Sequence, residues 1–230
     1  MIKILLWDID GTLLDFGKSE AYGIRKCFEK FGLGECSDEM LERYSKINRK
    51  YWLKLELGEI TKQQVLTCRF ADFFKSENIK FDRVDEFNDE YQLRLGDKAF
   101  FCDNASETVS SLKGRYKQYA VTNGTITAQQ RKLSQSGLIY VFDGVFISDE
   151  IGYEKPSIDF FNAVQDKIGE FDKNEVMIIG DSLSSDMQGG NNAGILCCWY
   201  NPHKAERSID VKIDFEINDI SQILRILEAN

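Results

Sequence analysis

Short apolar runs rich in branched residues recur along the chain at 2–7 (IKILLW), 117–121 (KQYAV), 142–147 (FDGVFI), 175–179 (EVMII) and 194–199 (GILCCW), with a weaker run at 211–215. Runs of this length with little alternation predict strands buried on both faces. Amphipathic stretches between them predict helices at about 104–113, 125–136, 157–168, 184–192 and 218–228. Strand alternating with helix implies an α/β fold, a doubly wound, Rossmann-like parallel sheet covered on both sides. Ligands in such sheets bind at the carboxyl ends of the strands. Residues 15–98 break the rhythm and read as consecutive helices at about 17–31, 38–57, 61–76 and 82–95, with Ser37 and Thr61 as expected N-caps. A second, smaller all-helical unit inserted after the first strand would form a lid over the active edge of the sheet.

The strand ends carry the polar residues that matter. The first run closes on WDIDGT, where Asp8 and Asp10 flank Ile9 and Gly11 permits a sharp exit. Alternation along a strand puts the two aspartates on one side and Ile9 on the other. Burying carboxylates costs several kcal/mol each unless a cation or hydrogen bonds compensate. The run at 117–121 leads into Thr122-Asn123-Gly124, a hydroxyl and backbone N–H groups at a turn into a helix, which suits an anion. Lys155 precedes Pro156, a residue favoured at the first position of a helix. The run EVMII ends in Gly180-Asp181-Ser182, with Asp186 in the first turn of the next helix. Carboxylates gathered at one sheet edge need a cation, and oxygen-only ligands suit Mg²⁺.

Composition narrows the classes further. The 230 residues are 43% hydrophobic and 29% charged, as in ordinary globular proteins, and the net charge of −9 argues against a nucleic-acid partner. No segment has the apolar length of a membrane span. A cleavable leader would have to include WDIDGT itself, so a cytoplasmic location is expected. Six cysteines (27, 36, 68, 102, 197 and 198) show no CxxC spacing, which disfavours zinc and predicts reduced thiols. His203 is the single histidine and no GxSxG elbow is present, so it reads as a loop residue rather than part of a triad.

Taken in order, WDIDGT, VTNG, GYEKP and GDSLSSD resemble the haloacid dehalogenase-like superfamily of hydrolases over the whole chain. Residues 1–14 and 99–230 then correspond to its catalytic core, and 15–98 to a helical cap of the C1 type. The resemblance implies an aspartyl-phosphate mechanism. Asp8 would be the nucleophile, and Asp10 the acid to the leaving group and then the base for water. Thr122 and the Asn123 backbone would hold phosphate oxygens, and Lys155 would offset charge on Asp8 and the phosphoryl group. The Mg²⁺ ligands would be Asp8, the Asp10 carbonyl and Asp181, with Asp186 either a ligand or the support of one. Gly11 and Ser182 would support the loops, and Thr12 would orient Asp10 or the first motif's loop. Members that cleave carbon–halogen bonds typically lack the second aspartate and the metal, so Asp10 favours a phosphatase.

The wording TNGTITAQQRKLSQSGL followed by FDGVFISDEIGYEKPSIDFFNAV is similar to the branch containing pyrimidine 5′-nucleotidases, with acylneuraminate 9-phosphatases nearby. The implied partner is a small phosphate ester, with no nucleic acid or membrane, acted on by a monomer or homodimer. Sugar phosphates, phosphoglycolate and a phosphosugar mutase stay open, as does a non-catalytic metabolite-binding protein. Within the helical block, Tyr22, Phe28, Tyr44, Tyr51, Trp52, Phe70, Phe73 and Phe74 read mainly as core. Lys46, Lys50 and Lys54 read as a solvated helix face.

Overall fold

The computed structural model describes residues 1–229. Strand β1 (Ile4–Trp7) lies inside the sheet and is followed by four helices, α1 (Phe16–Phe31), α2 (Asp38–Glu56), α3 (Lys62–Ser76) and α4 (Val84–Leu95). The chain then alternates: α5 (Ala105–Leu112), β2 (Lys117–Thr122), α6 (Ile126–Ser136), β3 (Gly144–Ile147), α7 (Ser148–Ile151), α8 (Ile158–Ile168) and β4 (Val176–Gly180). A π-helical turn (Leu183–Met187) runs into α9 (Gln188–Ala193), and β5 (Leu196–Tyr200), β6 (Phe215–Ile217) and α10 (Ile223–Ala229) complete the fold. The six strands are ordered β3-β2-β1-β4-β5-β6 and every pairing is parallel. The doubly wound parallel sheet expected from the alternation is therefore present.

Successive side chains feed opposite faces of the sheet, which is why its strands are apolar throughout. Leu5, Trp7, Met177, Ile179 and Cys198 join one cluster with Val109, Leu133 and Ile223. Leu6, Ile178, Cys197 and Trp199 join the other with Phe160, Val164 and Met187. Each such side chain contributes roughly 1.5–3 kcal/mol on burial. The cysteines are free, and Cys197 and Cys198 are packing residues of β5. His203 lies exposed in a turn.

Three local expectations are corrected. The last strand is 215–217 rather than 211–215, because side chains pre-empt the ladder. Asn191 pins Lys212 through both its amide and carbonyl, and Asp214 accepts from the Cys197 N–H at 2.9 Å. Pro156 does not open a helix: Ser157 caps α8, which starts at Ile158. The helix expected at 184–192 begins as a π turn, capped by Ser182.

The helical block has its own aromatic core, separate from the sheet. Phe28, Tyr44, Phe70, Phe73 and Phe74 are buried in it, and Tyr44 stacks on Phe70 with ring centroids 5.2 Å apart. Ser37 accepts from the Met40 N–H, and Thr61 forms a capping box with Gln64, as the sequence leads one to expect. Lys46 and Lys50 are exposed.

Candidate active site

β1, β2 and β4 end side by side, so the residues that follow them share one edge. The Lys155 ammonium is the hub. It donates to Asp8 Oδ1 at 2.8 Å, Asp186 Oδ1 at 2.6 Å and the Val121 carbonyl at 2.9 Å, and it is 1% exposed. Burial by itself would lower the lysine's pKa, but Asp186 and Asp8 outweigh it and raise it above the ordinary lysine value.

Carboxylate oxygens of Asp8, Asp181 and Asp186 lie within 4.8 Å of one another. Burial raises Asp8 to about 7 despite Lys155, with Asp186 adding to the rise. Asp181 is pushed well above the usual carboxylate range by burial and then by Asp8 and Asp186. Three carboxylates facing one ammonium leave the pocket short of positive charge, which is the electrostatic demand a divalent cation meets. All the donors are oxygens, so the residues fit Mg²⁺ chemically.

Two glycines make this crowding possible. Gly11 has φ +97°, and a Cβ there would stand 2.6 Å from Asp181 Oδ2. A Cβ on Gly180 would stand 2.2 Å from Asp186 Oδ2. Ser182 donates its N–H to Asp186 Oδ2 at 3.1 Å, and its hydroxyl accepts from the Ser185 N–H. Thr12 is buried and donates to Asp181 Oδ1 at 3.3 Å, so its hydroxyl orients Asp181 rather than Asp10.

The loop after β2 is braced on the lysine. Asn123 Nδ2 donates to the Lys155 carbonyl at 2.8 Å, while its Oδ1 accepts from the Lys155 N–H at 2.8 Å. The same amide reaches Ser185 Oγ at 3.3 Å. Thr122 is buried, and its hydroxyl accepts from the Gly124 N–H. Thr125 then caps α6 through the Ala128 N–H.

Asp10 follows a different course. The chain leaves the strand after Trp7, so alternation no longer governs it. Gln129 Nε2 and Lys132 Nζ donate to its two oxygens, each at 2.6 Å. Neither α6 residue was singled out from the sequence. A signal was present: Lys132 lies four residues beyond Ala128 and so shares its buried helical face.

The helical block also reaches this edge. Ser184 donates to Glu56 at the end of α2, and burial raises that carboxyl to about 7. Lys62 pairs with Asp149 and donates to Ser148 Oγ at 2.8 Å and the Gly124 carbonyl at 3.2 Å. Thr125 donates to Gln92 Oε1 of α4 at 2.7 Å.

Residues 2–194 match the family of haloacid dehalogenase-like hydrolases. The chain belongs to that family. It is 34% identical over 229 residues to the pyrimidine 5′-nucleotidase PynA of Streptococcus pneumoniae, covering 99% of this chain and 96% of the relative. It is 25% identical to the pyrimidine 5′-nucleotidase YjjG of Escherichia coli, covering 97% and 96%. The crystal structure of the HAD-hydrolase YfnB from Bacillus subtilis, bound to magnesium, superposes with a TM-score of 0.92 at 31% identity over 98% of each chain. The resemblance stated from four short motifs thus extends over the whole sequence and fold, and the enzyme class expected from it, a phosphoric monoester hydrolase, agrees with these relatives. Among the described residues no helix is long and apolar enough to cross a membrane.

Proposed function

We propose that this family member is a Mg²⁺-dependent phosphatase acting on a small phosphate monoester, a pyrimidine nucleoside 5′-monophosphate, through an aspartyl-phosphate on Asp8. The observation that carries the reading is the Lys155 hub, which presents Asp8 at the sheet edge beside Asp181 and Asp186. The similarity to PynA and YjjG supports the choice of substrate.

Asp8 attacks phosphorus in line as the ester P–O bond breaks, and Asp10 protonates the departing oxygen. Water then attacks the Asp8-bound phosphorus and loses its proton to Asp10, which frees phosphate and restores the Asp8 carboxylate. Lys155 neutralises charge on Asp8 and on the transferred group, while Thr122 and the Asn123 backbone hold phosphate oxygens. Asp8, the Asp10 carbonyl and Asp181, with Asp186 beside them, would hold Mg²⁺, which would supply the remaining positive charge. Residues 15–98 act as the cap, and Glu56 and Lys62 carry it onto the core. The location is cytoplasmic.

A panel of phosphate esters ranked by kcat/KM tests the substrate. Uridine and thymidine monophosphates should lead sugar phosphates and phosphoglycolate. A sugar phosphate at the head of the ranking would overturn the nucleotide assignment and keep the phosphatase. Absence of turnover on every ester with Mg²⁺ present would favour a binding role.

A further inference from the structure

Lys132 is 0% exposed, and among the described residues its ammonium has a single carboxylate partner, Asp10, with the Phe16 ring centroid 5.0 Å away. Gln129, 1% exposed and one turn earlier on α6, supplies a second donor to the same carboxylate, on its other oxygen. Two donors on two oxygens fix the plane of a carboxylate as well as its place. The space for this contact comes from Gly124, where a Cβ would stand 2.1 Å from Gln129 Nε2. Gln129 Oε1 is buried without a hydrogen-bond partner among the described residues. Such a half-satisfied amide costs free energy rather than adding stability, so packing does not account for its place.

We infer that Lys132 and Gln129 are positioning residues that set the direction in which Asp10 hands its proton to the departing oxygen and takes one from water. Packing alone offers no reason for a buried lysine here. Ala128 and Leu133 already anchor α6, one in the aromatic core of the helical block and one against the sheet. Phe16 opens the first helix of that block, so the same ammonium touches both the acid–base carboxylate and the segment where the helical block leaves β1. The glycine of Thr-Asn-Gly gains a role too: it keeps clear the path by which α6 reaches Asp10.

The inference rests on the proposed phosphatase mechanism, and the test separates the two. Lys132→Met keeps the stem and removes the charge, and Gln129→Leu leaves the ion pair intact. Both are compared with wild type on 4-nitrophenyl phosphate, whose leaving group needs no acid, and on alkyl esters, uridine 5′-monophosphate and β-glycerol phosphate. Rapid quench reads phosphoenzyme formation and decay separately. Lys132→Met should lose about 10²-fold in kcat on the alkyl esters, the lower range of general acid–base catalysis. On 4-nitrophenyl phosphate its burst should stay within a few-fold of wild type, with phosphoenzyme accumulating. Gln129→Leu should show the same selectivity at smaller size. Adding Lys132→Met to Asp10→Asn should change little further.

Equal losses in the rate of phosphoenzyme formation on both ester classes, effects additive with Asp10→Asn, or wild-type rates in Lys132→Met would each overturn the inference. If Asp10→Asn itself keeps wild-type rates, the mechanism falls and the inference with it. An impaired Asp10→Asn beside an unimpaired Lys132→Met removes the inference alone.

Discussion

The sheet edge and the helical block bury charge in opposite ways. In the aromatic core of the helical block the buried Arg69 is matched by Glu20, whose carboxyl burial still raises above its ordinary range. Arg69 donates to Asn48 at 2.9 Å and to Asn88 at 3.2 Å, Asn48 donates to Glu20 at 2.7 Å, and Arg69 lies over the rings of Phe70 and Tyr91. One cation and one anion are bridged by amides within an aromatic core. At the sheet edge Asp8 and Asp186 share one ammonium with Asp181 close beside them, and Asp8 and Asp181 are held far above their ordinary range. The first arrangement serves stability without help. The second is complete only with a cation and an anionic substrate, so imbalance marks where chemistry occurs.

Substitutions sharpen the contrast. Asp8→Asn should reduce turnover by at least ~10⁴-fold, the scale of losing a catalytic nucleophile. Its melting temperature without metal should match or exceed wild type, because one of the clustered carboxylates beside a single cation is gone while Asp186 still pairs Lys155. Arg69→Met should do the reverse. It leaves Glu20 without a cation and Asn48 and Asn88 short of a donor, destabilising by about 3 kcal/mol, near 10 °C in Tm. Its kcat on 4-nitrophenyl phosphate should stay within about threefold of wild type where the protein is folded, as read by steady-state rates well below that Tm.

The metal response is the next largest effect. The folded protein keeps a proton on Asp8 up to about pH 7 that the unfolded chain loses near 3.8. Folding takes up that proton in between, so this group's contribution to stability falls as pH rises across the interval and is lowest above it. Cation binding needs the ionised form. Mg²⁺ should therefore raise Tm more at about pH 8 than at about pH 6, by up to ~2.7 kcal/mol of stability at a hundredfold excess over Kd. Equal shifts at both pH values, by differential scanning fluorimetry, would contradict the assignment of these carboxylates to the ion. Smallest of all, Lys50→Ala on the exposed face of α2 should change stability by under about 0.5 kcal/mol and leave kcat/KM unaltered.

Most of the fold was legible because buried parallel strands write themselves as unbroken apolar runs and the capping residues fall where helices start. β6 was misplaced because side-chain contacts, Asn191 of α9 on Lys212 and Asp214 just before the strand on the Cys197 N–H, decide where its ladder begins. Asp8 and Asp181 were legible as polar strand ends, and Lys155, after α7, and Asp186, in the π turn after β4, converge with them. Their partners were less legible. Thr12 turned to Asp181, and Asn123 braces Lys155 with its side chain, neither of which strand alternation encodes. Gln129 and Lys132 were hidden because a lysine in a helix reads as solvated until its face is known to be buried. Glu56 and Lys62 were hidden because contacts between the helical block and the core depend on how the two pack.

The most direct test of Asp8 as nucleophile is acid-quench trapping. Asp10→Asn, mixed with 4-nitrophenyl phosphate and Mg²⁺, is quenched and digested, and its peptides are mapped by mass spectrometry. The mechanism predicts near-stoichiometric phosphorylation of the N-terminal peptide at Asp8, absent when Asp8→Asn is added. Continued turnover with an unphosphorylated Asp8, or phosphoryl groups on another residue, would contradict it.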